Sequence, residues 1–96
     1  MKALVLVAAA AGILAAGLGF AQSGADVVKT KGCTTCHEAD KKKVGPSFKD
    51  IAAKYQGNRE AGGALTAKLK YGKGHPKAAA SDAEIKAAVE HVLSTK

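Results

Sequence analysis

Cys33-Thr34-Thr35-Cys36-His37 is the stretch on which the reading of this chain turns. Two thiols three positions apart, with a histidine directly after the second, form the C-x-x-C-H attachment pattern of c-type haem. The spacing suits that chemistry. Thiols that add across the two vinyl groups of one porphyrin edge must lie about one turn apart, and the adjacent imidazole then reaches the iron from one face. Three other chemistries use similar residues. A thioredoxin-like redox pair wants a strand before it and a βαβ frame after it, and no strand-like alternation is present. A zinc site needs four ligands, which Cys33, Cys36, His37 and His75 would have to supply. The third is a plain disulfide.

The residues upstream weigh on that choice. Met1-Lys2 is a short positive start, and Ala3 to Phe20 runs 18 residues without a polar side chain. Small residues follow at Gly19, Ala21 and Ser23. This is the order of a secretory signal peptide, with cleavage expected after Ala21 or Ser23. The alternative is a retained membrane anchor. Seven alanines and three glycines make the run only mildly lipophilic, and no basic stop-transfer cluster follows it. The expectation is therefore a leader at residues 1–21, a mature domain at 24–96, a periplasmic location and no membrane insertion after cleavage. Behind a leader, the C-x-x-C-H pattern favours haem over its three rivals.

Downstream there is little chain left. The 96 residues allow one domain at most. Cleavage removes Met1, so the mature protein has no methionine, and its aromatics are Phe48, Tyr55 and Tyr71. A domain this small rarely stabilises itself by its own core. A covalently held haem, with its iron, brings in a large apolar disc and answers that need. The chain is too short for a large substrate cleft. It also lacks an acid/base pair, a phosphate loop or a nucleophile arrangement, so an electron-transfer protein is expected rather than an enzyme.

The rest reads as all-α. Gly24 to Lys31 is a short helical stretch with Val27 and Val28 free for packing, and Gly32 permits a tight turn into the cysteine motif. Lys41-Lys42-Lys43 is a basic run, and Val44-Gly45-Pro46 breaks structure. A helix starts at Ser47, with Phe48, Ile51, Ala52 and Tyr55 on one face, and Gly57-Asn58 is expected to end it. Glu60 to Tyr71 forms a third helix carrying Leu65 and Leu69, its first turn weakened by Gly62-Gly63. Gly72-Lys73-Gly74-His75-Pro76 is a loop. Ser81-Asp82-Ala83-Glu84 is a capping box that opens a last helix striped with Ile85, Val89, Val92 and Leu93.

With these residues placed, residues 24 to 96 resemble the class I c-type cytochromes, specifically the small bacterial periplasmic monohaem ones. The resemblance rests on the 33–37 motif, on Val44-Gly45-Pro46 followed by the Phe48-to-Tyr55 helix, and on the helix from Ser81 to Lys96. It implies the cytochrome c fold, about four short helices around one haem, with the first and last helices packed together. It also implies that Cys33 and Cys36 are the thioether positions and His37 the proximal ligand. The Pro46 carbonyl would accept the second N–H of that histidine.

The chain departs from the family at the sixth ligand, usually a methionine in a proline-containing loop before the last helix. His75-Pro76 stands there instead, six residues before the Ser81 cap. The expectation is a bis-histidine iron with His75 as distal ligand. His91 lies in the last helix and is expected to pack between helices. Lys73 and Lys77 flank His75, but deprotonating a lysine at pH 7 costs about 4–5 kcal/mol. A second imidazole in place of a thioether implies a relatively low potential.

The implied function is a periplasmic electron carrier. The alternative is a gas-binding or sensing haem protein whose His75, between flexible glycines, releases the sixth position. A nucleic-acid module is disfavoured by export and by too few aromatics to stack bases. Without residues 1–21 the chain keeps 14 basic and 8 acidic side chains, +6. Lys41, Lys42, Lys43, Lys49, Lys68, Lys70, Lys73 and Lys77 fall in segments expected around the haem, which favours electrostatic docking of a monomer to acidic redox partners. Lys68, Tyr71 and Arg59 are candidates for the haem propionates.

Overall fold

Among the described residues, serine hydroxyls start three of the four α-helices. The computed structural model describes residues 22–96, so the expected leader lies outside the described residues. Helix α1 (Gly24–Thr30) is capped by Ser23, whose Oγ accepts the Asp26 N–H at 3.1 Å. Helix α2 (Phe48–Lys54) is capped by Ser47 through the Asp50 N–H at 3.0 Å. Helix α3 (Ala61–Tyr71) follows Glu60, and α4 (Asp82–Leu93) follows Ser81. A capping oxygen satisfies one of the amide donors that a helix N-terminus leaves unpaired. No strand occurs among the described residues. The class is all-α, as expected.

Helix ends fall short of the sequence reading: α1 stops at Thr30, one residue before Lys31, and α4 at Leu93 rather than Lys96. Helix α2 ends at Lys54 rather than at Gly57-Asn58. Tyr55 leaves the helical range with φ −103° and ψ 10°. The Asn58 N–H then bonds the Tyr55 carbonyl at 3.0 Å, and Gly57 takes φ 78°. That turn offers the chain an alternative to another helical turn, and glycine adopts its left-handed conformation without steric cost.

Helix α4 is the hub, against which α1, α2 and α3 all pack. Its Ile85, Ala88 and Val89 are buried, the spacing that a single inward stripe requires. Val27, Val28, Phe48 and Ala88 form the core cluster, with Cys33, Ile51 and Val92 packed on its edge. Gly24 marks a close approach of α1 to α4. A Cβ there would run into the Ala87 carbonyl oxygen and come 2.6 Å from the His91 Cβ. The first and last helices cross as expected, and glycine is what lets them.

The capping box on α4 also fastens α1. Glu84 Oε1 accepts the Ser81 N–H at 2.8 Å, and Oε2 lies 3.5 Å from Lys31 Nζ. The Ser81 backbone hydrogen bond, helped by the Lys31 charge, holds the Glu84 carboxyl below its usual value. A carboxylate whose pKa is lowered by folding stabilises the fold above its unfolded-state pKa, and that contribution is lost as pH falls through the folded value. Thermal melts should therefore show stability dropping with acid from the ordinary glutamate range downward. Glu84→Gln should flatten that limb, and an unchanged limb would remove Glu84 as a contributor. Ser81→Ala should cost about 1 kcal/mol.

Candidate metal centre

Gly32 begins the site. Its φ of 81° turns the chain out of α1 and into a 3₁₀ turn at Cys33–Thr35. Within the turn the Thr35 N–H bonds the Gly32 carbonyl at 3.1 Å, and the His37 N–H bonds the Cys33 carbonyl at 3.1 Å. Both thiols are free and half-buried on this one turn. Burial raises the Cys33 thiol above its usual pKa, with a backbone hydrogen bond pulling partly the other way.

The segment before α2 is laid against this turn. The Gly45 N–H bonds the Cys36 carbonyl at 2.7 Å, and Lys43 Nζ donates to the Thr34 carbonyl at 3.2 Å. This register brings the Pro46 carbonyl to 2.6 Å from His37 Nδ1. A carbonyl can only accept, so Nδ1 carries the proton and Nε2 keeps its lone pair for a metal. Two neighbours hem the ring. The buried Phe48 ring lies 5.5 Å from it, centre to centre, at 26°. At Gly45, a Cβ would stand 2.5 Å from His37 Cε1.

His75 reaches the same place from the loop between α3 and α4. Gly72 and Gly74 take φ of 69° and 68°, which fold the loop back. The Ala78 N–H bonds the Leu69 carbonyl at 2.9 Å and so ties the returning strand of the loop to α3. His75 Nδ1 lies 2.7 Å from the Pro76 carbonyl, so this imidazole too has Nδ1 engaged and Nε2 free. The two rings lie 6.1 Å apart, centre to centre, with planes only 2° from parallel.

The structure thus brings His37, Pro46 and His75 together, with Cys33 and Cys36 on the adjoining turn. His91 is elsewhere, half-buried where α4 crosses α1. Among the described residues no three metal-ligating side chains gather around one point, as a zinc site would demand, and the two thiols are not joined. Lys70 is not a free charge, since it pairs with Asp82 at 3.0 Å. Tyr71 is exposed.

The donor set suits a haem iron. Two imidazoles sharing one iron through bonds of about 2.0 Å would have ring centres about 6 Å apart, and the rings of His37 and His75 lie at 6.1 Å. Three contributors escaped the sequence reading. The Pro76 carbonyl on His75 was foreshadowed by the His-Pro pair. Phe48 was read as core but not as a brace for the imidazole. Gly45 was read as a breaker, because nothing local announces which ring a missing Cβ makes room for.

Comparisons with known proteins bear on the family along most of the chain. The sequence model of the cytochrome c family matches residues 21–96. Cytochrome c-551 of Azotobacter vinelandii is 44% identical over 82 residues, covering 78% of this chain and all of that one. Cytochrome c-552 of Nitrosomonas europaea is 38% identical over 96 residues, covering 92% of this chain and 91% of that one. The crystal structure of wild-type Nitrosomonas europaea cytochrome c552 superposes with a TM-score of 0.67 at 36% identity, over 75% of this chain and 99% of that one.

Proposed function

The chain belongs to the cytochrome c family, and we propose that it carries single electrons between periplasmic proteins through a haem c of relatively low potential. In this reading Cys33 and Cys36 form the thioethers, His37 is the proximal ligand and His75 the distal one. The observation that carries it is the pair of parallel imidazoles 6.1 Å apart, each with Nδ1 engaged by a proline carbonyl. When bound, the haem iron supplies reversible one-electron chemistry.

The chain's own residues do the rest. The Pro46 carbonyl fixes the His37 tautomer and makes Nε2 a stronger donor. Pro76 does the same for His75. A second imidazole donates more than a thioether and favours ferric iron, which lowers the potential relative to methionine–histidine ligation. Phe48, buried beside His37, keeps water from that side. The Ala78–Leu69 hydrogen bond holds the distal loop down. That tethering supports a closed sixth position and places the gas-binding reading second.

Residues 1–21 act as the export leader, cleaved after Ala21 or Ser23, and residues 24–96 work as a free monomer. No helix among the described residues is long and apolar enough to cross a membrane. Lys41, Lys42, Lys49, Lys68, Lys73 and Lys77 are exposed, and none of them is in a salt bridge among the described residues. They would steer acidic redox partners to the haem edge.

A redox titration should give a single one-electron wave. Electron transfer from the reduced protein to ferricyanide should slow as salt rises from about 10 mM to several hundred mM, the Debye length shrinking from about 30 Å to a few Å. Transfer to a cationic cobalt complex should respond in the opposite sense. Identical salt responses with the two oxidants would remove electrostatic steering at the haem edge.

A further inference from the structure

The 2° angle between the His37 and His75 ring planes needs a physical cause. An imidazole bound to a metal through Nε2 keeps one soft freedom, rotation about the metal–nitrogen axis. Ligation alone therefore sets no angle between two such rings. Something in the chain must set each plane.

For His75 the constraint is local. Its Nδ1 is held by the carbonyl of the next residue, Pro76, at 2.7 Å, within a loop bent by Gly72 and Gly74. For His37 three contacts act at once. The Pro46 carbonyl holds Nδ1 at 2.6 Å, and Phe48 lies 5.5 Å from the ring centre. The third is Gly45. An ideal Cβ built there would stand 2.5 Å from Cε1, 2.9 Å from Nδ1 and 3.1 Å from Nε2. Three ring atoms would be approached together, so the ring lies against the Gly45 backbone. The backbone itself cannot retreat, because the Gly45 N–H is bonded to the Cys36 carbonyl at 2.7 Å and its carbonyl receives the Lys43 N–H at 3.0 Å.

We propose that Gly45 is a positioning residue that, with the Pro46 and Pro76 carbonyls, locks the two axial imidazole planes parallel. The inference rests on the bis-histidine reading above and goes beyond it by assigning the ring orientation and the residue that sets it. Orientation matters because imidazole planes split the iron's π-type d orbitals. Parallel planes add their effects and give a large rhombic splitting. Crossed planes cancel them.

The test is the frozen-solution electron paramagnetic resonance spectrum of the ferric, haem-loaded protein. Parallel planes predict a low-spin signal with three resolved g-values. A single low-spin feature at high g, with the others unresolved, would overturn the lock while leaving two histidine ligands in place. A high-spin signal would overturn the bis-histidine reading itself. Gly45→Ala should remain low-spin with a visibly smaller spread of g-values, since the added methyl turns the His37 ring. Gly63→Ala, where a Cβ meets nothing within 4 Å, should match the wild type. Unchanged g-values in Gly45→Ala would remove Gly45 from the role. If that variant does not accumulate, haem-methyl proton shifts of the wild type decide. A shift pattern of one fixed ring plane across temperature supports the lock, and a pattern averaged over several planes overturns it.

Discussion

His75→Ala should convert the ferric haem from six-coordinate low-spin to high-spin or water-ligated, and should open the ferrous protein to rapid binding of carbon monoxide. The expectation follows from the residues left to compete. Residues 22–96 contain no methionine. Lys73 and Lys77 are exposed and would each give up a proton at about 4–5 kcal/mol before ligating at pH 7. His91 is half-buried against Gly24 where α4 packs on α1. Accordingly His91→Ala should leave the spin state alone and weaken only helix packing. His75→Met, in the same loop, should raise the midpoint potential, because a thioether favours ferrous iron more than an imidazole does. If His75→Ala stays low-spin while His91→Ala does not, the distal ligand is His91. If neither variant changes the spectrum and the wild type already binds carbon monoxide rapidly, the sixth position is open and the gas-binding reading replaces the electron carrier.

The second large effect concerns the thioethers. In the wild type, acid–acetone treatment should leave the haem on the polypeptide. In Cys33→Ala/Cys36→Ala it should extract fully, and a haem stain should vanish from denaturing gels. The fold should suffer as well. Among the described residues the core cluster of Val27, Val28, Phe48 and Ala88 is small, and Cys33 packs on its edge. A short tether holds its ligand at an effective concentration on the order of mM. Against free haem near 1 μM, that difference of about 10³ is worth about 4 kcal/mol of ligand-linked stability. For a domain of this size such a loss approaches the whole margin. Full retention of colour after extraction of the double variant would show that attachment lies elsewhere.

These expectations draw on features that differed in how openly the sequence displayed them. The helix starts were legible because capping is local chemistry. Ser47 and Ser81 each precede an apolar stripe, and Glu84 completes a box that any reader of the string can see. The end of α2 was not legible, since Tyr55 takes its turn conformation from a hydrogen bond to Asn58 that competes with continuing the helix. On the site, Cys33, Cys36 and His37 are contiguous and declare themselves. His75 was singled out by its distance from the Ser81 cap, a register argument, and its ring lies beside that of His37. Gly45 and Phe48 were not recognised as parts of the site. Their roles exist only once the 43–48 segment lies against the cysteine turn, and that approach is set by the Gly45–Cys36 and Pro46–His37 contacts rather than by any pattern along the chain. The docking surface was half legible. Lysine positions could be read off, but the string did not reveal that Lys70 is committed to Asp82 and Lys43 to the Thr34 carbonyl.

In the proposed function two histidines of this chain hold the iron between them. Histidine labelled with ¹⁵N, followed by hyperfine spectroscopy of the ferric wild-type protein, counts the imidazole nitrogens bound to the metal. Two strongly coupled histidine nitrogens are expected, and a single one would contradict the account.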